Sequence, residues 1–332
     1  MEEFIAALPK AELHVHHVGS ASVAAVARLA ERHPDSPVPV DPDELAKYFT
    51  FTDFAHFIDV YLSVVDLLRT PEDIWTLTHE VGRDLAAQNV RYAELTMTPY
   101  SSIVRGIAAE AYLESIEDAR RTIERDFGVT LQWIFDIPGE SKLPSADITL
   151  DVALRLQPEA LVGFGLGGPE IGVPRRQFAD HFAKARAAGL RSVPHAGEST
   201  GPESIIEALD HLGAERIGHG IAAAQDPVLM ERLAAEQIVL EVCPTSNVRT
   251  RSVPSLADHP LATLVAAGVP VTINSDDPPM FGTTLNREYE IAAQMLNLDE
   301  SGVVDLALAA VDASFAPDDL KANLRAEVAG HR

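Results

Sequence analysis

AELHVHH, residues 11–17, is the stretch that decides the fold. Leu13 and Val15 alternate with His14 and His16, as along a β-strand, so the two imidazoles share one face. Seven further β-rich runs follow, at residues 91–98, 130–137, 160–166, 191–195, 216–219, 238–243 and 270–275. Several are nearly continuous apolar runs bounded by Gly or Pro, as strands buried on both faces should be. Helical patterns separate them. Thr70-Pro71 supplies an N-cap and a proline at the first helical position, and Ile74, Leu77, Val81 and Leu85 follow at helical spacing. Residues 203–212 repeat the pattern with Ile205, Ile206, Leu209 and Leu212 before Gly213. Eight strand–helix repeats predict an α/β fold, a (β/α)8 TIM barrel, although alternation alone leaves a doubly wound sheet open.

The first two strands are far enough apart to hold more than one crossover helix. HPDSPVPVDPDEL reads as loop, and residues 49–68, apolar and aromatic, read as helix. The interval is expected to be a helical insertion at about residues 34–70, either a lid above the barrel mouth or a decorating subdomain. The 332 residues otherwise read as a single barrel domain.

Acidic residues outnumber basic ones by 50 to 26, a balance that repels nucleic acid and anionic membranes and favours a small-molecule substrate. No run of about eighteen apolar residues exists to span a membrane. The N-terminal apolar run is too short for a signal peptide, so a cytoplasmic protein is expected. Whether it forms a homo-oligomer is left open. The single cysteine, Cys243, excludes a disulfide framework and a thiolate zinc site. Within its apolar run it reads as a packing residue.

Four strands end in unusual polar strings: His14-Val15-His16, His195-Ala196-Gly197-Glu198, His219 in RIGHG, and Ser275-Asp276-Asp277-Pro278. The C-terminal strand ends of such a barrel build its active site, so these residues are expected to converge. Imidazoles with a carboxylate suit zinc, and an open position for water marks a catalytic site. Glu198, three residues beyond a ligand histidine, suits a general acid. The remaining lone histidines, His33, His56, His79, His181, His211, His259 and His331, read as structural or surface residues.

PKAELHVH, HAGE, RIGHG, CPTSN and NSDDP, in this order, resemble the adenosine deaminase family of the amidohydrolase superfamily, over almost the whole chain. The resemblance implies that His14, His16, His195 and Asp276 hold one zinc ion per chain. It implies that Glu198 protonates the purine ring nitrogen beside the attacked carbon. His219 and Asp276 would orient the attacking water, Asp277 would contact the imidazole-ring nitrogen of the base, and Gly168 would offer it a backbone N–H. The generic logic of zinc deaminases agrees.

Two positions depart from the family pattern. Val18 stands where an acid usually binds the ribose 5′-hydroxyl, and GLGGPE replaces a string resembling DLAGDE, with Gly165 and Pro169 in place of acids. Both changes suggest less negative charge near the sugar end, and hence a 5′-modified substrate. This resembles the aminodeoxyfutalosine deaminases of menaquinone biosynthesis, whose substrate carries a carboxyphenyl ketone there. Arg175 and Arg176 are candidate partners for its carboxylate, or else a solvated helix start. Adenosine and free adenine remain alternatives. So do another amidohydrolase reaction and a metal-binding sensor. The fourth strand lacks the lysine usual in two-metal relatives, and a sensor needs neither Glu198 nor His219.

Overall fold

The computed structural model describes residues 1–52 and 54–332. Eight strands form one sheet: β1 (Lys10–His16), β2 (Val90–Met97), β3 (Thr130–Pro138), β4 (Leu161–Gly167), β5 (Arg191–Ala196), β6 (Arg216–His219), β7 (Val239–Val242) and β8 (Val271–Ile273). Their spatial order is their sequence order, and each pairs parallel to the next. Just beyond β8, a parallel bridge between Asp276 and Val15 brings the chain back to β1. There the N–H of His16 donates to the Asp276 carbonyl (2.9 Å) and the N–H of Asp276 to the His14 carbonyl (3.0 Å). This is a (β/α)8 barrel, and its closure places the end of β8 against the histidines of β1.

Most strand residues are buried, because helices cover the outside and side chains fill the inside. The helix Pro71–Ala87 starts with a reciprocal cap. The Asp73 N–H donates to Thr70 Oγ1 (3.2 Å), and the Thr70 N–H donates to Asp73 Oδ2 (3.0 Å). Such caps contribute about 1 kcal/mol. The expected helix over 203–212 is helix Pro202–Glu207 followed by a π-helical turn, Ala208–Leu212, which Gly213 ends at φ 60°. Helix Glu300–Ala313 packs against β8 and β1.

Between β1 and helix Pro71–Ala87 lie the helices Val23–Arg32, Pro42–Tyr48 and Phe54–Val65. The loop expected through HPDSPVPVDPDEL ends earlier than its composition suggested. Asp41 caps the N–H groups of Asp43 and Glu44, Pro42 occupies the first turn, and a helix begins there. Helix Phe54–Val65 turns Phe57, Ile58, Tyr61 and Leu62 toward the barrel mouth, where they line a cavity.

Candidate active site

The ends of β1, β5, β6 and β8 bring their polar side chains to one point. His16 Nε2 lies 3.1 Å from His195 Nε2. Asp276 Oδ1 lies 3.3 Å from His16 Nε2 and 3.6 Å from His14 Nε2. His219 and Asp276 hold left-handed backbone angles, φ 60° and 64°. Such angles cost roughly 1–3 kcal/mol in non-glycine residues and cluster at functional sites. Packing at the centre demands glycine at position 218. A Cβ there would lie 2.7 Å from His14 Cε1 and 3.1 Å from His195 Cγ.

The donor set fits a metal. One ligand nitrogen each from His14, His16 and His195 lie within 4.8 Å of one another. His14 Nδ1 donates to Glu241 Oε2 (2.9 Å), and its other ring nitrogen, Nε2, is buried without a hydrogen-bond partner. A carboxylate behind a ligand imidazole is a common way to fix its tautomer. Glu241 is itself held by Arg216 Nε (2.7 Å); the other end of Arg216 pairs with Glu94, and its Cζ lies 3.9 Å from the Phe315 ring centre. Cys243 Sγ also comes within 4.8 Å of ligand atoms of His14 and Asp276. Burial pushes its thiol well above the usual range, which leaves nitrogen and oxygen as the donors.

Beside this cluster stand Glu198 and His219. Burial pushes the Glu198 carboxyl up to about 8, with the charges of Asp276 and Glu170 adding to it. It is therefore poised to hold a proton at neutral pH. His219 Nε2 lies 3.7 Å from both Glu198 Oε2 and Asp276 Oδ2. Burial draws the imidazole down to about 4, so it is neutral. Its tautomer follows from a chain of hydrogen bonds. The Leu261 N–H donates to His259 Nδ1 (3.1 Å), so neutral His259 carries its proton on Nε2 and donates to Asn247 Oδ1 (3.1 Å). The Asn247 amide then donates to His219 Nδ1 (3.1 Å), leaving the His219 proton on Nε2, toward Glu198 and Asp276. Ser246 Oγ donates to Asp276 Oδ2 at 2.6 Å.

A cavity of about 100 Å³ opens over these groups. His16, His195, Glu198, His219, Asp276, Asp277 and Gly168 all line it. Asp277 packs directly on Gly19, where a Cβ would lie 1.4 Å from Asp277 Oδ1. Burial, reinforced by neighbouring Asp276, pushes the Asp277 carboxyl well up, toward the protonated form that can donate.

The other expected residues lie elsewhere. Val18 lines a smaller annex, with Val65, Leu68 and Tyr112, that shares Tyr61, Thr98 and Ser101 with the main cavity. Arg175 and Arg176 do not line the cavity. Arg175 is only 1% exposed and lies 4.0 Å from Glu170, so it is neither a solvated helix start nor a substrate contact. Arg176 points to the surface and pairs with Glu207 at 2.6 Å. The acid missing at Gly165 has a neighbour on the adjoining strand. Gly165 is the register partner of Asp136 on β3, and a Cβ at 165 would lie 3.2 Å from Asp136 Cβ. A carboxylate absent from β4 is thus present on the adjoining strand. Glu140 joins Asp136 in the cavity wall. Burial pushes Asp136 up to about 7 and raises Glu140 as well. Among the described residues, no Lys or Arg lines the cavity.

Residues that the sequence did not single out include Asp136, Glu140, Glu241, Asn247 and Tyr61. His259 was expected to be structural or surface, but it reaches the site through Asn247. Asp136 carried one usable signal, an acid at the C-terminal end of a barrel strand.

The adenosine deaminase family model matches residues 9–331. An aminodeoxyfutalosine deaminase of Streptomyces avermitilis is 63% identical over 330 residues, 99% of this chain and 92% of that protein. The crystal structure of an adenine deaminase from Arthrobacter aurescens superposes with a TM-score of 0.92 at 38% identity, covering 98% of this chain and 99% of that one. An amidohydrolase from Burkholderia ambifaria with bound Zn superposes at 0.90 and 28% identity, covering 99% and 92%.

Proposed function

The chain belongs to the adenosine deaminase family of metal-dependent aminohydrolases, and from that premise we propose that it deaminates 6-amino-6-deoxyfutalosine using one zinc ion per chain. The reaction exchanges the 6-amino group of the purine for oxygen, consuming water and releasing ammonia. The observation that carries this reading is the cluster of His14, His16 and His195 nitrogens, with Asp276 beside His14 and His16 and a protonated Glu198 alongside.

His14, His16, His195 and Asp276 would hold the zinc. When bound, it supplies a Lewis acid that makes water nucleophilic near neutral pH. Glu198 donates its proton to the ring nitrogen next to the amine-bearing carbon, which makes that carbon electrophilic. It then returns as the base that moves a proton toward the departing amine. Neutral His219 is a donor through Nε2–H, and Asp276 Oδ2 beside it is an acceptor, so together they orient the attacking water. Asp277, protonated, donates to the imidazole-ring nitrogen of the base, and the Gly168 N–H serves its other side.

The substrate assignment rests on similarity to the Streptomyces enzyme and on the buried, apolar Val18. A 5′ substituent would run past Tyr61 toward the annex, while Asp136 and Glu140 accept sugar hydroxyls. That no Lys or Arg is among the described lining residues favours a second reading, a neutral substrate such as adenosine or adenine, in line with the adenine deaminase structure. Ammonia release from a panel of 6-aminopurines, with metal analysis, tests the proposal. His14→Ala and His195→Ala are expected to lose metal and activity together. Two required ions per chain, or no ammonia from any 6-aminopurine, would refute it.

A further inference from the structure

Glu170, in the loop after β4, is buried at 5% exposure and is not among the described residues that line the site cavity. Its Oε1 accepts the N–H groups of Glu198 and Ser199, each at 2.8 Å. Its Oε2 accepts the N–H of Gly197 (2.8 Å) and the hydroxyl of Thr200 (2.7 Å). One carboxylate thus binds four consecutive residues, with Glu198 among them. Beside it, the Arg175 guanidinium makes no hydrogen bond to any described residue, so its part there is charge. Burial opposes ionisation of Glu170, but Arg175 and the surrounding donors hold it below the usual carboxylate range.

We infer that Glu170 is a positioning residue for the proton donor, clamping the backbone of residues 197–200 so that the Glu198 carboxyl is aimed into the cavity, with Arg175 as the buried counter-charge. Donors from four residues converging on two oxygens need the lone pairs of a carboxylate. Such charge-assisted bonds are roughly twice as strong as neutral ones. A glutamine keeps the size of Glu170 but replaces one acceptor oxygen with an NH2 group, which would face N–H and O–H donors. The clamp would then open on one side and Glu198 would lose its aim. The inference rests on Glu198 being the proton donor.

The test uses the metal-loaded enzyme and whichever 6-aminopurine the wild type deaminates fastest. Glu170→Gln should lower kcat by about 10- to 100-fold, as loss of a supporting partner typically does. KM should stay within about twofold and the metal content should be unchanged. Thr200→Val, which removes a single donor, should lower kcat by about three- to tenfold. It carries the test alone if Glu170→Gln does not fold. The double variant Glu170→Gln/Glu198→Gln should be no slower than Glu198→Gln, because residues acting through one group are not additive. Wild-type kcat in Glu170→Gln and Thr200→Val would overturn the inference while leaving the proton donor intact. Multiplying losses in the double variant, or loss of metal from Glu170→Gln, would overturn it too. A fully active Glu198→Gln would overturn both readings.

Discussion

The Asn247 side-chain amide donates to His219 Nδ1 across 3.1 Å, and that single contact decides which nitrogen of His219 carries the proton. The amide is itself oriented by His259. Removing it in Asn247→Ala frees the ring to adopt the other tautomer, with no donor toward the water. We expect kcat to fall by about 10- to 100-fold while metal content stays constant, checked by steady-state kinetics with metal analysis.

Asp277 and Gly19 make a second prediction. A methyl group at position 19 would stand 1.4 Å from Asp277 Oδ1, so the carboxyl must leave its place. Loss of one hydrogen bond to the base is worth about 1.5–3 kcal/mol if the group is charged and less if neutral. Gly19→Ala should therefore reduce kcat/KM by roughly tenfold, with the fold intact by circular dichroism.

Much of this site is legible in sequence because its residues stand at strand ends in short, unusual strings. His14, His16, His195, Glu198, His219 and Asp276 need only the barrel to bring them together. Asp136 was hidden because its meaning depends on register. It becomes the neighbour of Gly165 only when β3 and β4 pair. His259 acts through an amide twelve residues away, which no spacing rule reveals. Arg175 misled because an arginine at a helix start usually faces water, whereas here Glu170 draws it inside.

Acid should weaken the fold through His17. Its Nε2 lies 2.9 Å from Thr78 Oγ1, whose own proton goes to the Ile74 carbonyl, so His17 is the donor and is neutral. Burial lowers its pKa from 6.5 to about 3. Between those values the unfolded chain binds a proton that the folded chain refuses, so stability falls as pH drops below about 6.5. At pH 5 the loss is on the order of 2 kcal/mol. His17→Gln keeps a donor to Thr78 and should flatten this dependence, read as Tm between about pH 7 and 5. An equal slope in both proteins would exclude His17 as a source.

Val18→Asp should restore an acceptor for a free 5′-hydroxyl. A buried hydroxyl left unpaired costs roughly 1–3 kcal/mol, so the substitution should raise kcat/KM for adenosine by about 5- to 100-fold. It should also repel a carboxylate-bearing tail. Kinetics with both substrates would show the two changes in opposite directions. A variant unchanged toward adenosine would mean that position 18 does not face the 5′ end.

The most direct test compares kcat/KM for 6-amino-6-deoxyfutalosine and for adenosine, by ammonia release from the metal-loaded wild-type protein. A preference of about tenfold or more for 6-amino-6-deoxyfutalosine is expected, since Val18 gives a free 5′-hydroxyl no partner. A preference of that size for adenosine would contradict the assignment and put adenosine in its place.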